Sequence, residues 1–201
     1  MTFTPVRYKT YWDYLNSDLS SEGNLRLLSS GEVIELPPED DENIFIADEF
    51  AELIKRLVKN RRLARTSSTE IQVQPVGDSC VNRVPDLIVL RPEHLDIIAE
   101  QKKSVVLFGA PPPLFVAEVV SPGSKSTDNY QRDYVWKRQQ YEWWKIPEYW
   151  ILDRHRRQVV VFTLKGDTYE EKRYTDADIV TSSVFPSLKL AAAKLLSGDI
   201  L

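Results

Sequence analysis

A single cysteine, Cys80, leaves this chain of 201 residues without a partner for an internal disulfide. No cross-linked scaffold holds it together, which fits a reducing compartment. No run approaches the ~18 apolar residues of a membrane span. Residues 1–14 mix Arg7, Lys9 and Asp13 with aromatics and lack the apolar core of a secretory signal. Charge of one sign is also scarce: 26 Lys and Arg stand against 30 Asp and Glu, for a formal charge of -4 and a pI of about 5.4. That balance excludes the broad basic footprint of a dedicated nucleic-acid binder, so any anionic partner must be held locally. There is no phosphate-cradling glycine loop, nucleophile elbow, zinc pattern or internal repeat. What remains, with 42% hydrophobic and 28% charged residues, can bury a real core. The expectation is one globular domain over 1–201, cytoplasmic and without a membrane partner.

The order of hydrophobic patterns is mixed α/β. Tyr8, Tyr11, Trp12 and Leu15 recur at helical spacing, and 25–28 and 33–36 predict two strands around Ser29-Ser30-Gly31. Pro37-Pro38 stops that element. Ile46, Phe50, Leu53, Ile54 and Leu57 mark an amphipathic helix whose end carries Lys55, Arg56, Lys59, Arg61 and Arg62, where cations suit the helix dipole. Strands are expected over 71–73, 87–90, 114–120, 149–152 and 159–164, the last returning through Gly166-Asp167 to 168–174 as a hairpin. Between 93 and 113 a short helix around Leu95, Ile97 and Ile98 precedes a strand or loop at 105–108. A terminal amphipathic piece follows Pro186.

Two of these strands carry an acid where a structural strand would not. Asp86 opens the apolar run 87–90, and Glu118 lies inside 114–120 with Ala117 and Val119 at its flanks. Burying an ionised carboxylate is costly unless it is paired or binds a metal, so the pair asks for a cation. Winding 130–144 at about 100° per residue groups Tyr130, Asp133, Lys137, Tyr141 and Trp144 on one side, and Arg138, Glu142 and Lys145 on another. Lys137 then faces the core, with Asp133 four residues before it as a counter-charge. Two carboxylates, an ammonium and a cation suit phosphodiester hydrolysis, in which hard oxygen ligands hold Mg²⁺ or Mn²⁺ and a lysine orients water or steadies a developing oxyanion. The structural alternatives are a strand-entry turn for Asp86, a buried ion pair between Glu118 and Lys137, and a lysine that snorkels past its aromatic neighbours.

Val84-Pro85-Asp86, then Phe115 to Pro122 reading Phe-Val-Ala-Glu-Val-Val-Ser-Pro, then Asp133, Lys137 and Tyr141 at four-residue spacing, then Ile146 to Asp153 reading Ile-Pro-Glu-Tyr-Trp-Ile-Leu-Asp, closely resemble the Uma family of restriction-endonuclease-like proteins, within the PD-(D/E)XK nuclease superfamily. The segment 31–38 resembles the family's N-terminal hairpin. The resemblance implies a restriction-endonuclease-like fold, a mixed β-sheet flanked by helices with an N-terminal β-hairpin. It also implies a metal-dependent endonuclease acting on DNA, with Asp86 and Glu118 as metal ligands, Mg²⁺ or Mn²⁺ as the ion, and Lys137 assisting the water. Asp133 and Tyr141 are expected to hold the lysine in place. The superfamily lysine commonly stands two residues after the acid, where this chain has Val120; Lys137 matches the migrated lysine of the narrower family. A histidine that family members often carry at the start of the first long helix is replaced by Glu42 and Asn43. Family analogy adds a homodimer. The competing reading is a noncatalytic nucleic-acid-binding or regulatory module that retains the fold.

Other features are read structurally. Glu32 is an exposed turn acid, His155 a solvated turn residue among arginines, and His94 has no partner at metal-ligand spacing. The basic stretch from Lys55 to Arg65 could track a phosphate backbone, but helix-end charge accounts for it. Trp136, Trp143, Trp144 and Trp150 could stack on bases, although core or dimer packing accounts for them.

Overall fold

The computed structural model describes residues 7–21 and 24–200. Residues 1–6, part of the stretch read above for a secretory signal, and residue 201 at the end of the expected domain lie outside the described residues. Helix α1 (Tyr11–Leu15) opens on a reciprocal cap, in which Thr10 accepts from the Asp13 amide and Asp13 accepts from the Thr10 amide. Strands β1 (Leu25–Leu27) and β2 (Val33–Glu35) form the expected antiparallel hairpin, and Gly31, at φ +86°, turns it where a Cβ would strike the Tyr8 carbonyl. Helix α2 (Asp41–Leu57) starts at Asp40, whose carboxylate accepts from the amides of Glu42 and Asn43.

The chain then makes β3 (Ala64–Thr66), β4 (Glu70–Gln72), β5 (Asn82–Arg83), β6 (Leu87–Val89), α3 (Pro92–Gln101), β7 (Val105–Val106) and β8 (Phe115–Val119). A helical segment follows: α4 (Asp128–Tyr130), a π-helical stretch (Gln131–Lys137) and α5 (Arg138–Trp143). Strands β9 (Glu148–Asp153), β10 (Gln158–Lys165), β11 (Thr168–Thr175), β12 (Ile179–Val180) and β13 (Leu190–Ala191) precede the closing helix α6 (Ala192–Ser197).

The main sheet has the order β11-β10-β9-β8-β6-β3, antiparallel except between β8 and β9. That parallel pair needs a crossover, which the helical segment 128–143 supplies. A second sheet, β5-β4-β7, stands beside it, and the N-terminal hairpin joins it through a bridge between Leu28 and Cys80. Every residue of β8 and β9 is buried, as expected of strands covered on both faces. On one face α2 packs Phe50 against Phe115 and Trp150, with ring centroids 6.0 and 5.4 Å apart. On the other, Tyr141 of α5 meets Tyr149 edge-on at 4.9 Å. Each such fully buried side chain contributes about 1.5–3 kcal/mol.

Two expectations change. The helix read through the basic stretch ends at Leu57; Val58 is extended, Asn60 caps a 3-10 turn at Arg61–Leu63, and Arg65 lies in β3. The charges beyond Arg56 therefore do not line one helix end. The segment 130–144 is not α-helical throughout either. In an α-helix the Asp133 carbonyl would accept from the Lys137 amide; here the Tyr149 hydroxyl of β9 donates to that carbonyl at 2.9 Å. A side chain entering the backbone ladder widens the winding there.

Candidate active site

The register of β6 and β8 brings the two acids together. Leu87 pairs with Ala117, and one step further along the same antiparallel ladder Asp86 stands opposite Glu118. Opposed residues put their side chains on the same face of the sheet, and two like charges there repel. The Asp86 carboxylate accepts the Val119 amide through Oδ2 at 2.7 Å; among the described residues nothing bonds its other oxygen. Burial pushes the Asp86 carboxyl well above the ordinary aspartate range, and the charge of Glu118 adds to the push. Glu118 is 1% exposed. Its Oε1 accepts from the Tyr141 hydroxyl at 2.7 Å and its Oε2 pairs with Lys137 Nζ at 2.9 Å.

Lys137 reaches this spot from the helical segment because the π-helical stretch turns Asp133, Tyr134 and Lys137 toward the sheet. Its Nζ lies 2.8 Å from Asp133 Oδ1 as well as against Glu118. Burial alone would lower the lysine, but Asp133 and Glu118 outweigh it and the net shift is upward. Lys137 is an ammonium at neutral pH, a donor of protons in hydrogen bonds rather than a base. Asp133 also receives the Arg132 guanidinium as a fork, 3.2 Å to each oxygen. Burial raises the Asp133 carboxyl, Lys137 and Arg132 together reverse that, and the result is a lowered value.

The structure thus brings Asp86, Glu118, Lys137 and Asp133 to one place. Tyr141 differs from its expected role: its hydroxyl bonds Glu118 and not Lys137, because one helical turn on from the lysine the phenol reaches across to β8. A cleft of about 800 Å³ opens here, lined by Asp86, Asp133 and Lys137, with Glu118 just behind its wall. Hard carboxylate oxygens beside open space suit a small divalent ion, which takes one or two carboxylates and keeps several waters. Among the described residues no cluster of three or more His, Cys, Asp or Glu side chains is placed to hold a metal, so Asp86 and Glu118 with water would be the donor set.

Three neighbours were missed in the sequence. Glu39, just before the α2 cap, accepts from Asn43 Nδ2 at 2.7 Å and from the Ser121 hydroxyl at 3.3 Å, and its charge is felt at Asp86. Asn43, noted only as a replacement for histidine, is buried, reaches the Val119 carbonyl and accepts from Arg154. Arg26, from β1, lines the same cleft. The Pro-Pro-Glu-Asp run before a helix was the one available signal for Glu39.

The residues set aside stay outside the site. Glu32 pairs with Arg7 at the exposed hairpin turn, and His155 is exposed in the turn after β9. His94 is buried, accepting from the Arg91 amide and facing the Pro111 carbonyl, so one neutral tautomer satisfies both nitrogens. Trp150 and Trp144 are core, Trp136 packs on Gly77, and Trp143 is 53% exposed beside Phe108.

A mixed sheet with acids on two adjoining strands beside a cleft is the architecture of restriction-endonuclease-like nucleases. A crystal structure from Anabaena variabilis ATCC 29413, described as a "putative nuclease belonging to DUF820", shares this fold with a TM-score of 0.61 at 21% identity, over 93% of this chain and 98% of that one. The model of the family Uma2, described as "Putative restriction endonuclease", matches residues 12–193, and the chain belongs to that family. No curated protein matches it. Among the described residues no helix is long and apolar enough to cross a membrane.

Proposed function

We propose that this protein is a divalent-metal-dependent endonuclease that hydrolyses phosphodiester bonds in DNA. The observation that carries this reading is the opposition of Asp86 and Glu118 across two strands, with the Lys137 ammonium on Glu118 at the edge of an open cleft. An ion held there, Mg²⁺ or Mn²⁺, supplies Lewis-acid polarisation and a bound water of lowered pKa. The chain's own residues set the rest. Val119 fixes one oxygen of Asp86 and leaves the other free, Tyr141 orients Glu118, and Asp133 aims the Lys137 ammonium. As a permanent donor, Lys137 orients the attacking water or meets negative charge growing on the phosphoryl oxygens. Hydrolysis breaks one ester P–O bond as the water oxygen bonds to phosphorus, and the departing oxygen takes up a proton.

One observation favours a second reading. Both oxygens of Glu118 are already engaged, by Tyr141 and Lys137, as in a purely structural ion-pair network or a noncatalytic nucleic-acid-binding module. The deciding experiment is cleavage of supercoiled plasmid and branched DNA with Mn²⁺, comparing wild type with Lys137→Ala and Asp86→Asn. The nuclease reading expects nicking by wild type and a fall of about 10²-fold or more in both variants. Equal activity in wild type and Lys137→Ala removes the lysine from the mechanism. DNA retention that survives Asp86→Asn without cleavage by any form supports the binding module. A homodimer would offer two clefts to the two strands of a duplex, and sedimentation of the protein with and without duplex tests that arrangement.

A further inference from the structure

We propose that Arg26 forms a phosphate-binding subsite that holds a backbone phosphate of the substrate strand beside the Asp86–Glu118 centre. This rests on the nuclease reading for the identity of the strand, but the anion site itself stands on separate observations.

The cleft is rich in carboxylates, among them Glu39, Asp40, Glu70, Asp86 and Asp133, so a polyanion needs specific cations to enter it. Four basic side chains line it, and three are engaged. Lys137 pairs with Glu118 and Asp133. Arg132 forks onto Asp133. Arg83 pairs with Asp78 at 2.8 Å and donates to the Gln140 side chain at 2.9 Å.

Arg26 is the exception. It is only 7% exposed, yet among the described residues its guanidinium makes one hydrogen bond, from NH1 to the Leu25 carbonyl at 2.7 Å, and no ion pair. The nearby carboxylate that could neutralise it, Glu70, instead accepts from the Tyr11 hydroxyl. Burial raises the Glu70 carboxyl, against the pull of Tyr11, Asn82, Arg26 and Lys103. A guanidinium carries five N–H donors in a planar fork. One that is nine-tenths buried with most of its donors unused, on the wall of an open cleft, is set for a planar or tetrahedral oxyanion. Burial and the charge of Arg83 disfavour its charge, while Glu70 and Glu118 favour it, and the net shift is downward. An incoming phosphate would supply the direct ion pair that no described carboxylate makes with it. Because Arg26 and Asp86 line the same cleft, the bound phosphate would share that cleft with the one attacked at the metal.

The test uses the full chain as wild type, Arg26→Gln, Arg26→Lys and Arg173→Gln, the last an exposed arginine of the edge strand β11. Three quantities are measured: broadening of the ³¹P signal of inorganic phosphate, anisotropy of a labelled DNA duplex in Ca²⁺ across a salt series, and melting temperature. Arg26→Gln is expected to abolish the phosphate broadening and weaken duplex binding about ten-fold. It should also reduce the slope of log K against log salt by about 0.9, the value of one lost phosphate contact. Its melting temperature should equal or exceed that of wild type, since an unpaired buried charge is removed. Arg26→Lys should recover part of the binding, and Arg173→Gln should change nothing. Phosphate broadening unchanged in Arg26→Gln overturns the subsite even if the protein cuts DNA. A clear drop in melting temperature for both Arg26 variants overturns it in favour of a structural role. Arg26-dependent phosphate broadening in a protein that cuts no nucleic acid keeps the subsite and discards the nuclease reading.

Discussion

Strand β9 begins with a buried carboxylate that is at rest, while its neighbour β8 carries one that is not. Glu148 is fully buried, yet each of its oxygens takes two hydrogen bonds: Oε1 from the Trp150 indole and the Ser182 hydroxyl, Oε2 from the amide and the hydroxyl of Ser183. No other acid opposes it, and neutral donors fill its lone pairs. Glu118 instead faces Asp86 across the ladder, and among the described residues only Glu118 of the two pairs directly with an ammonium, that of Lys137. A buried acid in a strand is therefore no sign of chemistry on its own. The sign is a second acid in register with it and open space alongside.

The comparison is broken most directly at Glu148. Glu148→Ala strands four donors in the core and is expected to cost about 4 kcal/mol in urea unfolding, with none of it restored by Mn²⁺. If the loss is below about 1 kcal/mol, the two regions do not differ as argued. Lys137→Ala comes next. It leaves Glu118 and Asp133 without their shared ammonium and should cost about 3 kcal/mol in chelator, but here Mn²⁺ should restore stability by mass action as it fills the role of the missing cation. A variant that melts alike with and without metal would make this region as closed as the first.

A smaller effect of opposite sign is expected at Asp86. Its folded pKa is raised, so its favourable contribution is complete below the unfolded value, near 3.9, and is lost as pH climbs through the folded value. Metal-free Asp86→Asn should then be more stable than wild type at neutral pH by about 1 kcal/mol. That advantage should vanish toward pH 4 and reverse when Mn²⁺ is added. Calorimetric melting across this pH range checks it. The smallest effect concerns Lys137, whose pKa is also raised. Its contribution is whole below the unfolded lysine value, about 10.4, and is lost as pH rises through the folded value. Wild type should lose stability above about pH 10 more steeply than Lys137→Met; parallel curves would show that the ammonium adds nothing to the fold.

Much of the candidate site was legible because its parts are local violations of pattern. A glutamate between Ala117 and Val119 and a lysine in phase with aromatics both contradict the periodicity around them, and the structure places their side chains 2.9 Å apart. Strands β6, β8, β9 and β10 of the main sheet were legible through their apolar runs, and β11 through the Gly166-Asp167 turn before it. Arg26 was not. In Leu-Arg-Leu it reads as the outward residue of a half-buried strand, and only its place among the cleft-lining residues reveals it. Strand β3 was hidden likewise, since Ala-Arg-Thr carries little strand signal and exists through pairing with β6. Asn43 and Glu39 are ordinary near a helix start, and their reach toward Val119 and Ser121 depends on how α2 lies on the sheet.

The Tyr149 hydroxyl that enters the backbone at Asp133 acts as a pin between a strand and the helix preceding it. The aim of Lys137 thus rests on its own helix, through Asp133 four residues before it, and also on a residue made later in synthesis. A chain that had not yet placed β9 would lack this bond, and with it the contact that widens the winding around Asp133. On the nuclease reading, the geometry around Lys137 is complete only once the middle of the sheet has closed.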